Sequence, residues 1–409
     1  MKKVIIAGAG ISGLSSAIFL KEAGYDVEIY EKTFRTGGRI FSYYDSKSDC
    51  YIDNGKHILA GWYDCTIKLL KILKAEDNFI FPKALKIGYL HENGKSRTLD
   101  FSLFPKPLNF IFGIIRTDIF GLKDKILLLK AFKEISKCCH DDMSMSDFLR
   151  KTNQSRSLIK YFWQPFSEAA FNSICEKVAV SVFKHVMKCG LVGKSSSALI
   201  VPKYDLYTSL ISPIENYYTR NNIEVKYKSK ISEYKIENGK VRYAVINHTQ
   251  AFGDYFIQAY SDSELNHSSI ISVHFLLGNP ISNKFGIKEF YFLPGSFLQW
   301  VFIDTPLHIS CVISNCNEVR REEEYIEEIS KFIKGLKIKK LKIIFNKKAT
   351  FIPDVKSQEL IKSRQCKADN LFFAGDESLT GFPSTIEHAV RSGMICAEKI
   401  IVNDKNSNG

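Results

Sequence analysis

Val4, Ile5, Ile6 and Ala7 form a short unbroken apolar run, the pattern of a strand covered on both faces. Past the glycines that follow, Leu14, Ala17 and Ile18 recur at helical spacing, and Gly24 stands where that helix would stop. The stretch YDVEIYE supplies a second strand ending at Glu31. The same order returns near the C-terminus. Leu371, Phe372 and Phe373 predict a buried strand, a turn follows, and Ile386, Ala389, Val390 and Gly393 share one helical face. Ser384 through Glu387 reads S-x-x-E, which predicts a capping box at the start of that helix. Between these ends, ISEYKIENGKV alternates and turns at Asn238-Gly239, a hairpin signal. SSIISVHFLL and FYFLPGSFLQWVFI predict apolar strands, the second with a turn at Pro294-Gly295.

A chain of 409 residues is long for one core and suggests about two to three domains. Aromatic residues reach 13 %, enough to line large apolar pockets or simply to fill cores. The net charge of +13 admits an anionic cofactor or an anionic membrane surface as partner. No basic stripe interleaved with aromatics occurs, so nucleic acid is not an expected partner. The ten cysteines include adjacent Cys138 and Cys139 but no C-x-x-C, which argues against a metal site and fits a reducing compartment. Gly193-Lys194-Ser195 looks like part of a phosphate loop, yet Lys188 stands where that motif needs its first glycine. Glycines cut short the N-terminal apolar run, so no signal peptide is expected, and no stretch predicts a spanning helix. The expected location is cytoplasmic.

The first turn carries specific chemistry. Gly8, Gly10 and Gly13 read G-x-G-x-x-G: tight turn, close approach to a pyrophosphate, and helix-on-strand packing. The helix start offers free N–H groups to phosphate. Glu31 is placed to accept from both ribose hydroxyls and disfavours a 2′-phosphate. This unit alone does not separate FAD from NAD. RTGGRI, with Gly38 and Arg39, and the C-terminal strand–turn–helix, with Gly375 and Asp376, bear on that choice. A helix beginning at Thr385 and Ile386 would set its positive end against a reduced isoalloxazine ring.

GAGISGL, EK…GGR and AGD…TGFPSTIEHAVRSG together resemble the amine-oxidase and phytoene-desaturase superfamily of flavoproteins. The resemblance implies FAD as cofactor, in a discontinuous Rossmann-like domain. It places cofactor contacts at Gly8, Gly10, Ile11, Ser12, Gly13, Glu31, Lys32, Gly38, Arg39, Gly55, Ile231, Gly375, Asp376, Thr385 and Ile386. DNGKHILAGWYDCTIKLLKIL, from Asp53, is more particular. With FWQPFSEAAFNS, ALIVPKYDLYTSL and QWVF it resembles the squalene-associated FAD-dependent desaturases, also called hydroxysqualene dehydroxylases. The chain departs from that pattern at Lys56, where Gln is usual, and around residues 253–266.

The expected fold is α/β with α+β. An FAD-binding domain would comprise residues 1–80, 190–245 and 362–409, and a substrate-binding cap residues 81–189 and 246–361. The implied chemistry is hydride transfer between flavin N5 and an allylic carbon of a C30 isoprenoid, converting hydroxysqualene to squalene for hopanoid or sterol precursors. Loss of the hydroxyl needs a proton donor, for which His57, Asp53 and Glu168 are the candidates. No second nucleotide fingerprint occurs, so electrons would come from an external donor. Residues 101–132 mix apolar clusters with Lys and Arg, as an interfacial segment on the inner face of a membrane would. Three other readings stand beside this one: an oxidative desaturase acting on phytoene or dehydrosqualene, an amine oxidase, and a non-enzymatic prenyl-lipid carrier.

Overall fold

Lys3–Ala7 is the middle strand of a five-stranded parallel sheet, ordered Glu224–Lys226, Asp26–Tyr30, Lys3–Ala7, Tyr255–Gln258, Leu371–Phe373. The computed structural model describes every residue except 47–49, 136, 138–142, 194, 262–263, 283, 287, 364–367 and 408–409. Cys138, Cys139 and Lys194 lie outside the described residues. The apolar run of the middle strand is explained by cover on both faces. Val4 and Ile6 point into a core shared with the helices Ile11–Glu22 and Ile386–Ser407. Ile5 and Ala7 point into a second core under a three-stranded antiparallel meander. The two helices approach closely: a Cβ on Gly393 would lie 2.4 Å from Ser15 Oγ. In the meander, Ile231–Glu237 pairs with Lys240–Ile246 across Asn238-Gly239, whose φ values of 49° and 76° are those of a type I′ hairpin turn.

The cap is organised around a seven-stranded sheet. Its order is Ile338–Phe351, His267–Leu277, His308–Ser314, Trp300–Thr305, Phe290–Phe292, Lys86–Leu90, Ser96–Asp100. The last two strands come from the first insertion and the rest from the second, so one sheet joins both. They meet where Phe290–Phe292 runs parallel to Lys86–Leu90, and there a Cβ on Gly88 would lie 2.5 Å from the Tyr291 ring. The helices Leu108–Arg116, Leu122–Ile135 and Val180–Leu191 share an aromatic-rich core around the buried Trp163 and Phe183.

Tyr255–Gln258 falls inside the stretch expected in the cap (246–361), yet it hydrogen-bonds in the parallel sheet between Lys3–Ala7 and Leu371–Phe373. An apolar strand buried on both faces carries no sign of which sheet it will join. It also falls in the stretch that departs from the resembled family, residues 253–266. Among the described residues, no helix is long and apolar enough to cross a membrane.

Candidate active site

The first turn is built by close contacts. Gly8 has φ +102° and donates its N–H to the Tyr30 carbonyl at 2.8 Å. A Cβ on Gly13 would lie 2.0 Å from the Gly8 carbonyl oxygen, so only hydrogen fits there. Gly10 differs from both: a Cβ there would meet nothing within 4 Å, so the backbone faces open space at the start of the Ile11–Glu22 helix. Glu31 is buried and accepts from the Ala9 and Thr33 amides, both at 2.8 Å. Carboxylate oxygens have lone pairs to spare beyond those bonds for sugar hydroxyls. Lys32 is exposed beside it, and Ile231 is buried at the start of the meander.

The two chain ends meet here. Arg39 grips Asp376 with both terminal guanidinium nitrogens, Nη2 to Oδ1 at 2.9 Å and Nη1 to Oδ2 at 2.8 Å. Burial works to raise the Asp376 pKa, but Arg39 and Ser384 outweigh it and hold the carboxyl below the ordinary aspartate range. Gly375, at φ +82°, packs against Ser12: a Cβ would lie 3.1 Å from Ser12 Oγ.

The expected capping box does not form. Ser384 Oγ donates to Asp376 Oδ1 at 3.0 Å, and Thr385 Oγ1 caps the helix instead, accepting from the His388 amide at 3.2 Å. Glu387 reaches another helix, Asp64–Leu73. It accepts there from the amides of Cys65 (3.2 Å) and Thr66 (2.9 Å) and from Thr66 Oγ1 (2.8 Å). A carboxylate with access to a neighbouring helix's positive end gains more than one folded back on its own first turn. Thr385 and Ile386 are thereby left to line a cavity.

That cavity holds about 2000 Å³ of free space, counted out through its open mouth. Its wall is largely apolar and rich in aromatic rings, including Phe110, Phe132, Phe162, Phe292, Trp300 and Phe382. Glu168, Lys56 and His57 line it together with the phenols of Tyr63 and Tyr89. Glu168 is partly buried and accepts from Gln164 Nε2 at 2.8 Å, and burial pushes its pKa up. Burial pushes the His57 imidazole down to about 4, so it is neutral at pH 7. Asp53 does not line this cavity. Its Oδ1 accepts from Ser42 Oγ at 2.7 Å and the Leu206 amide at 2.9 Å, which ties the loop down. Gly55 is buried, and a Cβ there would sit 3.7 Å from His57 Nε2 and 3.8 Å from Ser272 Oγ, a buried hydroxyl with no partner among the described residues.

A profile of the flavin-containing amine oxidoreductase family matches residues 11–268 and 346–401. The chain belongs to the flavin-containing amine oxidoreductase family. The hydroxysqualene dehydroxylase of Zymomonas mobilis is 26 % identical over 416 residues, covering 96 % of this chain and 97 % of its own. That of Sinorhizobium fredii is 24 % identical, covering 97 % of this chain and 98 % of its own. The zeta-carotene desaturase of Zea mays is 26 % identical over 233 residues, 53 % of this chain and 40 % of its own. An oxidoreductase from Methanosarcina mazei superposes with a TM-score of 0.73 at 16 % identity, over 97 % of this chain and 100 % of its own. A putrescine oxidase double mutant superposes with a TM-score of 0.70 at 14 % identity, over 98 % and 99 %. These last two likenesses show the fold.

As a member of this family the chain is an oxidoreductase with FAD as cofactor. The residues present fit the group. Open space faces Gly10, the Arg39–Asp376 pair joins the two chain ends, and the Thr385–Ile386 helix start opens on the cavity.

What sequence reasoning missed lies behind Lys56. Its ammonium sits 2.7 Å from Asp304 Oδ1, and Ser310 Oγ donates to Asp304 Oδ2 at 2.7 Å. His308 Nε2 is 3.8 Å from Asp304 and 3.1 Å from His274 Nδ1. His274, Asp304 and His308 hold ligand-type atoms within 4.8 Å of one another. Both Asp304 oxygens already serve Lys56 and Ser310, an arrangement that favours an ion-pair network over a bound cation. The only signal in the sequence was the family departure at Lys56.

Proposed function

We propose that this family member removes the allylic hydroxyl of a C30 isoprenoid alcohol, converting hydroxysqualene to squalene. The observation that carries the reading is one cavity with two unlike features: an apolar wall rich in aromatic rings, of the chemistry a long polyene would meet, and a single carboxyl group, Glu168, whose pKa is raised by burial. The near-complete coverage of relatives named hydroxysqualene dehydroxylase supports the substrate class. Reduced FAD supplies the hydride. Thr385 and Ile386 would set the positive end of their helix against the negative charge that the reduced flavin carries before it gives up the hydride. Glu168, whose pKa burial raises, gives its proton to the departing oxygen so that it leaves as water. The allylic π-bonds spread the positive charge left on carbon. The aromatic wall excludes bulk water from that carbon. His57, neutral at pH 7, serves as a hydrogen-bonding group, and Asp53 as an anchor of its loop.

The electrons would come from an external donor, and the product would serve hopanoid or sterol precursor synthesis. The enzyme would work from the cytoplasmic side, resting on an anionic membrane surface. The Leu108–Arg116 helix supports that placement. Phe110 lines the cavity, whereas Leu108, Ile111, Phe112 and Ile115 are 36–51 % exposed on its other side. Anaerobic incubation of the reduced enzyme with hydroxysqualene, followed by mass spectrometry, should give squalene. A second reading, oxidative desaturation of a polyene, draws on the zeta-carotene desaturase likeness over about half the chain. A dehydrogenated product from phytoene or dehydrosqualene, with no squalene from the alcohol, would establish it instead.

A further inference from the structure

Lys56 stands where two cavities meet. With His57, Ile58 and Phe302 it lines the large aromatic cavity, and the same four residues line a second pocket of about 380 Å³, counted out to solvent. The rest of that pocket is more polar: Asp53, Asp304, Lys288 and Glu289 belong to it, and the exposed Tyr204 stands at its rim. The Lys56 side chain keeps 15 % of its accessibility, and the two cavities are what it opens on.

An ammonium carries three N–H donors. Among the described residues, the ion-pair partners of Lys56 are Asp304, at 2.7 Å, and Asp53, at 3.6 Å. At least one donor is therefore left over. The partner geometry is stiff, because Ser310 holds the far oxygen of Asp304 and His308 stands behind it. Burial works to discharge Lys56, but Asp304 and then Asp53 outweigh it and keep the pKa above the ordinary lysine value. The neighbouring imidazoles of His57, His274 and His308 are all pushed towards the neutral form by burial. A cation with an unused donor in an aromatic wall costs free energy unless the bound molecule supplies an acceptor. A hydrocarbon polyene has none, whereas an alcohol oxygen has two lone pairs.

We infer that Lys56 holds the hydroxyl oxygen of the isoprenoid alcohol, selecting alcohol over hydrocarbon, and that the polar pocket behind it drains the water released. This rests on the dehydroxylation reading above and names the group that makes it specific. In the step, the C–O bond breaks with its electron pair passing to oxygen. Oxygen takes the Glu168 proton and leaves as water. The carbon gains a hydride and is reduced as the reduced flavin is oxidised. Lys56 keeps its hydrogen bond to the oxygen throughout and gives up no proton, so it positions the leaving group and then releases it into the polar pocket.

Two variants test this. Lys56→Gln still donates to Asp304 but removes the charge. The double variant Lys56→Met with Asp304→Asn removes the closer pair without stranding Asp304, and Asp53 keeps its bonds from Ser42 and the Leu206 amide. Flavin absorbance and melting temperature report whether each holoenzyme is intact. Binding of hydroxysqualene and of squalene to the oxidised holoenzyme is then followed by the change in the flavin spectrum. Loss of a hydrogen bond from a charged donor should weaken hydroxysqualene about 10- to 100-fold in the double variant, and less in Lys56→Gln, with squalene unchanged. An unchanged alcohol-to-hydrocarbon ratio in both variants overturns the inference, as does equal weakening of both ligands. If the wild-type enzyme makes no squalene, the functional reading falls first. If it makes squalene and the ratio survives in the variants, only the role of Lys56 falls.

Discussion

Glu387 and Glu168 are both helical carboxylates next to the same cavity, and their surroundings treat them oppositely. Glu387, in the cofactor-binding half, has no solvent exposure and is met by two backbone amides, a threonine hydroxyl and Arg391. Glu168, in the cap, has one amide from Gln164 and otherwise faces the cavity. The first arrangement stabilises a charge and locks two helices together. The second raises the pKa of the acid, because little is there to stabilise its ionised form. Arg39–Asp376 and Glu31 follow the first pattern, and the aromatic wall enforces the second. One half holds its charges in fixed pairs, and the other leaves a carboxyl group facing an apolar cavity, as the proposed dehydroxylation requires.

The sharpest break of this contrast is Gly13→Val. The new Cβ would lie 2.0 Å from the Gly8 carbonyl, a backbone overlap well beyond ordinary overpacking at about 1–3 kcal/mol. Purified protein should lose nearly all bound flavin, read as the ratio of visible to ultraviolet absorbance. Full retention would show that the turn is not the cofactor site.

Next in size is Glu168→Gln. Flavin content should hold while single-turnover squalene formation slows by about 10²–10⁴-fold. The working form is the protonated one, and burial raises this pKa. Wild-type turnover should therefore be full at low pH and decline as pH rises through the raised value. The variant should lose that limb. A variant that keeps wild-type turnover would remove Glu168 from the chemistry.

The outer face of the cap gives a smaller effect. Ile111→Asp with Ile115→Asp should weaken co-sedimentation with anionic vesicles about 10- to 100-fold, with turnover on detergent-dispersed substrate unaltered. Unchanged vesicle binding would detach that helix from any membrane role.

The smallest effect is His57→Asn at neutral pH, where a neutral imidazole is exchanged for a neutral amide and turnover should change by less than about tenfold. The difference should appear in stability. The folded His57 pKa, about 4, lies below its unfolded value, so unfolding takes up a proton between pH 6.5 and 4. Stability from this group is complete above pH 6.5 and declines by on the order of 3 kcal/mol as pH falls to 4. His274, pushed down to about 3, adds to the same limb. Melting curves of the variant across that range should be flatter than those of the wild type.

The cofactor half was readable because backbone geometry constrains its residues one at a time. Gly8 and Gly13 tolerate no side chain, and spacing alone places such glycines on a strand–turn–helix. The strand at Leu371–Phe373 and the hairpin at Asn238-Gly239 were legible for the same reason. The cap was readable only in bulk, as an excess of aromatic residues and two apolar strand signals. Local rules misled at Ser384 and Glu387, because a spacing that suits a capping box says nothing of a second helix start arriving from residues 64–66. Tyr255–Gln258 was misplaced because its apolar run satisfies either sheet equally.

By itself, then, the chain's order of residues determined the dinucleotide turn, the two strand–turn–helix ends and the family, all properties of spacing along a backbone. Tertiary structure alone decided that Lys56 meets Asp304, that Glu168 rather than Asp53 faces the aromatic cavity, and that Glu387 serves another helix. Those outcomes depend on which distant groups share a low-dielectric interior, where the cost of an unpaired charge selects its partner and no sequence period records the choice.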